Sequence, residues 1–124
     1  MDQRPDNRRV FPRVDLLAQV QVTRQSECHI MSTLNISRGG VFIQGLPTNY
    51  PELRIGAEVE LVIFDANAPG ERDIALRARI VRLDLGRPGH PPGFGLEFVG
   101  LDPERIARLD QMIGARRPAP PARR

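Results

Sequence analysis

From Asp15 to Arg24 the chain alternates, with Ala18, Val20 and Val22 on one side and Gln19, Gln21 and Thr23 on the other. A period of two belongs to a strand with one face buried, so this segment is predicted to be the first strand. Cys28 to Ile36 alternates less cleanly, with Cys28, Ile30, Ser32, Leu34 and Ile36 sharing a face. It runs through Ser37-Arg38-Gly39-Gly40 into the apolar Val41-Phe42-Ile43. A strand, a glycine turn and a second strand are expected there. Past a loop with Pro47, Asn49 and Pro51, the residues Val59, Leu61 and Ile63 alternate against Glu58, Glu60 and Val62. The turn-forming run Ala66-Asn67-Ala68-Pro69-Gly70 precedes the longest predicted strand, Asp73 to Leu85. Its Ile74, Leu76, Ala78 and Ile80 are placed to face inward and Arg77 and Arg79 to face water, with a change of phase near Val81. A final strand is expected over Phe94 to Val99, after Gly89 to Gly93.

Short strands joined by short turns, with no helices between them, predict an all-β fold: an antiparallel barrel of about six strands over residues 15–100. Closure would remove the unpaired edges of an open sheet. Asp102-Pro103-Glu104 then supplies an N-cap, a proline at the first helical position and an acid in the first turn. Ile106, Leu109 and Ile113 follow at the spacing of a helix face. One C-terminal helix over 102–114 is expected to pack on the barrel and to end at Gly114. Residues 1–7 read as a flexible start, 8–14 as an arm, and 115–124, rich in arginine and proline, as a disordered tail. A chain of 124 residues suits one such domain.

Composition narrows the function. No apolar run approaches the roughly 18 to 20 residues of a membrane span, and Met1 to Asn7 lacks the apolar stretch of a signal peptide, so a cytoplasmic protein is expected. A lone cysteine, Cys28, allows no internal disulfide. The two histidines, His29 and His90, stand too far apart for zinc-ligand spacing, so neither metal nor cofactor is expected. The formal charge is +3, but Arg116, Arg117, Arg123 and Arg124 lie in a tail without acids. The remaining chain carries fourteen arginines against fifteen acids, a net −1. Duplex nucleic-acid binding, which wants a basic face on the folded part, is therefore disfavoured.

Two constellations carry candidate chemistry. Arg8-Arg9-Val10-Phe11-Pro12-Arg13 places three guanidinium groups before the first strand, where Pro12 opposes a regular helix. Guanidinium forks match phosphates and the O6/N7 edge of guanine, and their planes stack on bases. The competing reading is a frayed, solvated terminus. In Asn35-Ile36-Ser37-Arg38-Gly39-Gly40, short polar side chains two apart share a strand face and the glycines permit close backbone approach. The competing reading is an ordinary hairpin. Elsewhere the plainer readings prevail. Cys28 and His29 are adjacent and so point to opposite faces, unlike a nucleophile and its base. His90 reads as a loop residue, and Arg77, Arg79 and Arg82 as a solvated barrel face in preference to an extension of a ligand surface. Glu58 and Glu60 read as charged outward positions without a second acid pair.

The two constellations together, Arg-x-x-x-Arg over Arg9 to Arg13 and Asn-x-Ser-x-x-Gly over Asn35 to Gly40, resemble the PilZ domain family. They stand in order on a predicted barrel. The similarity extends over about Arg8 to Leu101, including the closing Gly93-Phe94-Gly95-Leu96-Glu97-Phe98. The resemblance implies a six-stranded barrel with a C-terminal helix that binds cyclic di-GMP on its outer surface. It further implies that Arg9 and Arg13 take the phosphates and a guanine Hoogsteen edge, that Asn35 and Ser37 hydrogen-bond a guanine, and that Gly39 and Gly40 form the tight turn. Arg8, immediately before the motif, is of the kind that accompanies a self-stacked ligand dimer. Asn35 stands where many relatives carry Asp and offers one carbonyl acceptor instead of two carboxylate oxygens. A domain of this kind signals through a separate protein partner, in motility, adhesion or biofilm control. Two other readings stay open: the same fold as an interaction module that binds no cyclic di-GMP, and a barrel for single-stranded nucleic acid. The second is disfavoured by an aromatic content of 5%.

Overall fold

The computed structural model of the protein describes residues 14–15, 18–64 and 73–116. The expected flexible start, the arginine arm up to residue 13, the turn at 66–70 and the tail from 117 lie outside the described residues. The elements are β1 (Val14–Asp15), β2 (Gln19–Arg24), β3 (Glu27–Ile36), β4 (Gly40–Gln44), β5 (Glu58–Ile63), β6 (Ile74–Asp84), β7 (Gly93–Val99) and α1 (Pro103–Arg116). Every strand pairing is antiparallel. The order β3-β2-β5-β6-β7-β4 closes on itself because β4 also pairs with β3, which makes a six-stranded barrel. The two-residue β1 is an extra strand on β3.

The barrel follows from the alternation of the strands. Val20 and Val22, then Val59, Leu61 and Ile63, then Ile74, Leu76, Ala78 and Ile80, and finally Phe94, Leu96 and Phe98 fill the interior. Burying each large apolar side chain stabilises the fold by about 1.5–3 kcal/mol. The phase change expected near Val81 is present as a shift of register between Ile80 and Arg82.

β3 corrects the pattern read from its sequence. Ile30 is 57% exposed and Cys28 is exposed, whereas Met31 and Thr33 face the interior. A register irregularity between Thr33 and Asn35 then reverses the phase and brings Ile36 inside. A bulge sets two residues against one and inverts the alternation, an event that periodicity alone does not reveal. Thr33 tolerates burial because its hydroxyl accepts from the Ala18 N–H at 3.0 Å and donates to the Ala18 carbonyl at 3.2 Å.

The helix begins as expected. Asp102 Oδ1 accepts the Arg105 N–H at 2.8 Å, and this bond holds the Asp102 carboxyl below its usual range. Leu109, Met112 and Ile113 enter the core, while Ile106 is only half-buried. Arg105 Nε donates to the Ala75 carbonyl and an Arg108 guanidinium nitrogen to the Asp73 carbonyl, both at 2.7 Å, which latches α1 to the start of β6. The helix continues past Gly114 to Arg116, against the expected end. Gly114 is not among the described glycines of positive φ, so it never adopts the left-handed conformation by which a glycine stops a helix.

Candidate functional site

The turn between β3 and β4 is built by its own short side chains. The Ser37 N–H donates to the Gly40 carbonyl at 2.8 Å, and the Gly39 N–H donates to Ser37 Oγ at 3.1 Å. The Phe98 N–H reaches the Gly39 carbonyl at 3.0 Å and ties the turn to the end of β7. Gly40 admits no side chain, since a Cβ there would lie 2.1 Å from the Leu96 carbonyl oxygen. Ser37 is 7% exposed, and its hydroxyl, already accepting from Gly39, keeps its own hydrogen to donate.

Cross-strand register extends this turn into a row on the barrel's outer face. Asp15 pairs with Asn35, Asn35 with Phe42, Phe42 with Gly95, and Gly95 with Arg82. Directly opposed residues in antiparallel strands share a face. Phe42 stays out of the interior cluster and lies over Gly93, whose missing side chain leaves room for the ring. The Arg82 guanidinium carbon sits 5.5 Å from the Phe42 ring centroid, a cation–π contact. The row thus carries in turn an amide, a buried aromatic ring and an exposed guanidinium, of which the amide and the guanidinium can hydrogen-bond a planar, polar ligand.

Arg38 has a different task. Its Nε and one terminal nitrogen form a bidentate pair with the two Asp110 oxygens, at 3.0 and 2.7 Å. The pair holds the Asp110 carboxyl below and the Arg38 guanidinium above their usual ranges, chiefly through the hydrogen bonds. It joins the turn to α1 and spends the Arg38 charge within the protein.

Of the residues singled out by sequence, Asn35, Ser37, Gly39 and Gly40 come together at the β3–β4 turn. Arg8, Arg9 and Arg13 lie outside the described residues. Val14, which follows Arg13 in the chain, pairs with Ile36, the second residue of the Asn35–Gly40 motif. Phe42, though buried, packs outside the interior cluster, a placement the sequence hides because it reads as core within the run Val41-Phe42-Ile43. Arg82 reads in the sequence as a solvated side chain, and only the register places it in the same row as Asn35, over the Phe42 ring. Glu58 and Glu60 oppose Arg79 and Arg77 across β6, and Glu58 pairs with Arg79 at 3.1 Å, the ordinary neutralisation of an outer face.

At the other end of β3, Cys28 is exposed opposite Thr23, and His29 opposes Val22. The imidazole meets the Tyr50 ring edge-on at 4.9 Å and hydrogen-bonds Glu52, so it is oriented by these two and not by the cysteine. That bond holds the Glu52 carboxyl below its usual range.

Among the described residues no helix is long and apolar enough to cross a membrane. A family model described as the PilZ domain matches residues 7–115. Among solved structures, the chain is similar to the Bacillus subtilis inhibitor of motility MotI/DgrA, at 20% identity and a TM-score of 0.73, over 94% of this chain and 52% of that one. It is similar to the PilZ domain of YcgR from Escherichia coli with c-di-GMP, at 14% identity and a TM-score of 0.65, over 88% of this chain and 91% of that one. The K. pneumoniae MrkH–c-di-GMP complex matches at 15% identity and a TM-score of 0.65, over 93% of this chain and 52% of that one. The chain therefore spans about half the length of MotI/DgrA and MrkH. None of the curated proteins compared by sequence matched it.

Proposed function

The chain belongs to the PilZ domain family, and from that premise we propose that it is a receptor for cyclic di-GMP, not an enzyme, which acts in the cytoplasm through a partner protein. The observation that carries this reading is the pairing of Val14, the residue after Arg13 in the chain, with Ile36, inside the Asn35–Gly40 motif. The likeness to YcgR and MrkH, both solved with c-di-GMP, supports the same ligand.

In this reading Arg9 and Arg13 grip the phosphodiesters and a guanine Hoogsteen edge. Asn35 offers its amide, and Ser37 its hydroxyl hydrogen, to a guanine. Gly39 and Gly40 keep the turn tight enough for the base to approach. Arg8 holds the second molecule of a stacked ligand dimer, and the Phe42–Arg82 stack borders the site. A bidentate arginine–guanine contact is worth about 1–3 kcal/mol. Ordering the arm opposes binding by about 1–2 kcal/mol per fixed residue. Ligand binding therefore closes the arm over the barrel and presents a changed surface to the partner, in motility, adhesion or biofilm control.

Calorimetric titration of cyclic di-GMP into the wild type and Arg13→Ala tests the proposal, with cyclic di-AMP and GMP as controls. Specific binding lost by at least several-fold in the variant is expected, with two ligands per chain if Arg8 acts as proposed. A folded wild type that binds none would leave the protein-interaction module as the surviving reading.

A further inference from the structure

At the end of β3 remote from the β3–β4 turn, we propose that Glu27, His29 and Glu52 form a binding site for a divalent transition-metal ion of the zinc class. The ligand atoms of the three side chains all lie within 4.8 Å of one another. The sequence disguised this site. Its two histidines are too far apart to pair, and Glu52 arrives from a loop more than twenty residues beyond His29.

The local fold explains the convergence. Glu27 and His29 are two apart on β3 and so share a face. Glu52 follows the short helical turn Pro47–Asn49 and Tyr50. Tyr50 packs edge-on against His29 and, at 5.9 Å, edge-on against the buried Phe94, so the imidazole is held by a chain of rings rooted in the core. His29 and Glu52 are only 26% and 27% exposed. His29 Nε2 and Glu52 already face each other, their hydrogen bond opens to admit the ion between them, and the exposed Glu27 supplies a third donor.

The donor set selects the ion. One imidazole nitrogen and two carboxylates suit zinc-class ions, whereas magnesium and calcium prefer oxygen alone. Zinc bonds of about 2.0–2.2 Å place tetrahedral donors roughly 3.4 Å apart. Rotation of the Glu27 side chain closes that gap, and a fourth position is left for water. A plain hydrogen bond between His29 and Glu52 accounts for two of the groups. It leaves unexplained why Glu27, whose carboxylate makes no hydrogen bond or ion pair among the described residues, sits at the same point. Arg24, opposite Glu27 in register, opposes a cation, but its guanidinium is engaged with the Glu58 carbonyl at 3.3 Å.

The test is a ZnCl2 titration of the untagged full chain carrying Cys28→Ser, which removes the exposed neighbouring thiol, followed by NMR of the histidine rings. His90, the other histidine, serves as an internal reference. Saturable shifts of His29 at one equivalent are expected, with His90 unmoved and MgCl2 without effect. Glu27→Gln and Glu52→Gln should each weaken binding at least about tenfold, since even an outer partner of a metal ligand contributes that much. No shift of His29, equal shifts of both histidines, an equal response to magnesium, or unchanged affinity in Glu27→Gln would overturn the site. Because these residues lie outside the proposed nucleotide site, a failure of either proposal leaves the other standing.

Discussion

At Gly40 the barrel leaves no space for a methyl group, since the added carbon would press on the backbone oxygen of Leu96, not on a flexible side chain. Overpacking of this kind costs about 1–3 kcal/mol, so Gly40→Ala is expected to lower the thermal midpoint measurably and to distort the turn. An unchanged midpoint would show that the strands yield more easily than this geometry implies. Thr33 makes a complementary case. Thr33→Val keeps the shape but strands the Ala18 N–H, which now bonds the threonine hydroxyl. An unsatisfied buried donor costs about 1–3 kcal/mol, a loss that urea unfolding will read. At this scale the sequence was legible where a residue type serves one purpose. Gly40 was marked as a turn glycine from its neighbours alone. Thr33 and Phe42 were not legible, because their placements depend on a bulge and on two glycines in another strand.

The tie between the β3–β4 turn and α1 rests on Arg38 and Asp110, and its pH dependence follows from the direction of the shift. The Asp110 carboxyl is held below its ordinary value, so the pair contributes stability above the normal aspartate range. That contribution fades as the pH falls through the lowered value. Both side chains are nearly half exposed, which keeps the effect small and salt-sensitive. Asp110→Asn should therefore lower the unfolding midpoint slightly at neutral pH and match the wild type in acid; a difference that persists in acid would assign the effect to packing. Within α1, Gly114 is helical and meets nothing nearby, so Gly114→Ala should stabilise the protein by up to about 1 kcal/mol in calorimetry. Elements with clean alternation, β5 and β6 above all, were legible in advance, including the break near Val81. The inward face of β3 was not, because Ile30 and Leu34 imitate a buried face on the solvent side of the bulge.

For the molecule as a whole, closure of β4 onto β3 places the polar turn, the entry of the chain at Val14 and the Phe42–Arg82 stack at one place on the barrel. The six strands and the capped helix could be read from periodicity. The pairings that assemble the candidate site could not, since strand order depends on contacts between segments far apart in sequence. The two proposals give the ends of β3 different chemistry: a nucleotide at the turn around Ser37, and a metal ion at the end with Glu27 and His29. Asn35 lies six positions along the chain from His29, roughly 20 Å in an extended strand. The most direct measurement is a cyclic di-GMP titration followed by backbone and side-chain amide NMR. The account expects the Asn35 side-chain amide and the amides of Ser37, Arg38, Gly39 and Gly40 to shift together, with those around Glu27 and His29 unmoved. Shifts confined to the Glu27 end, or none at saturating ligand, would contradict it.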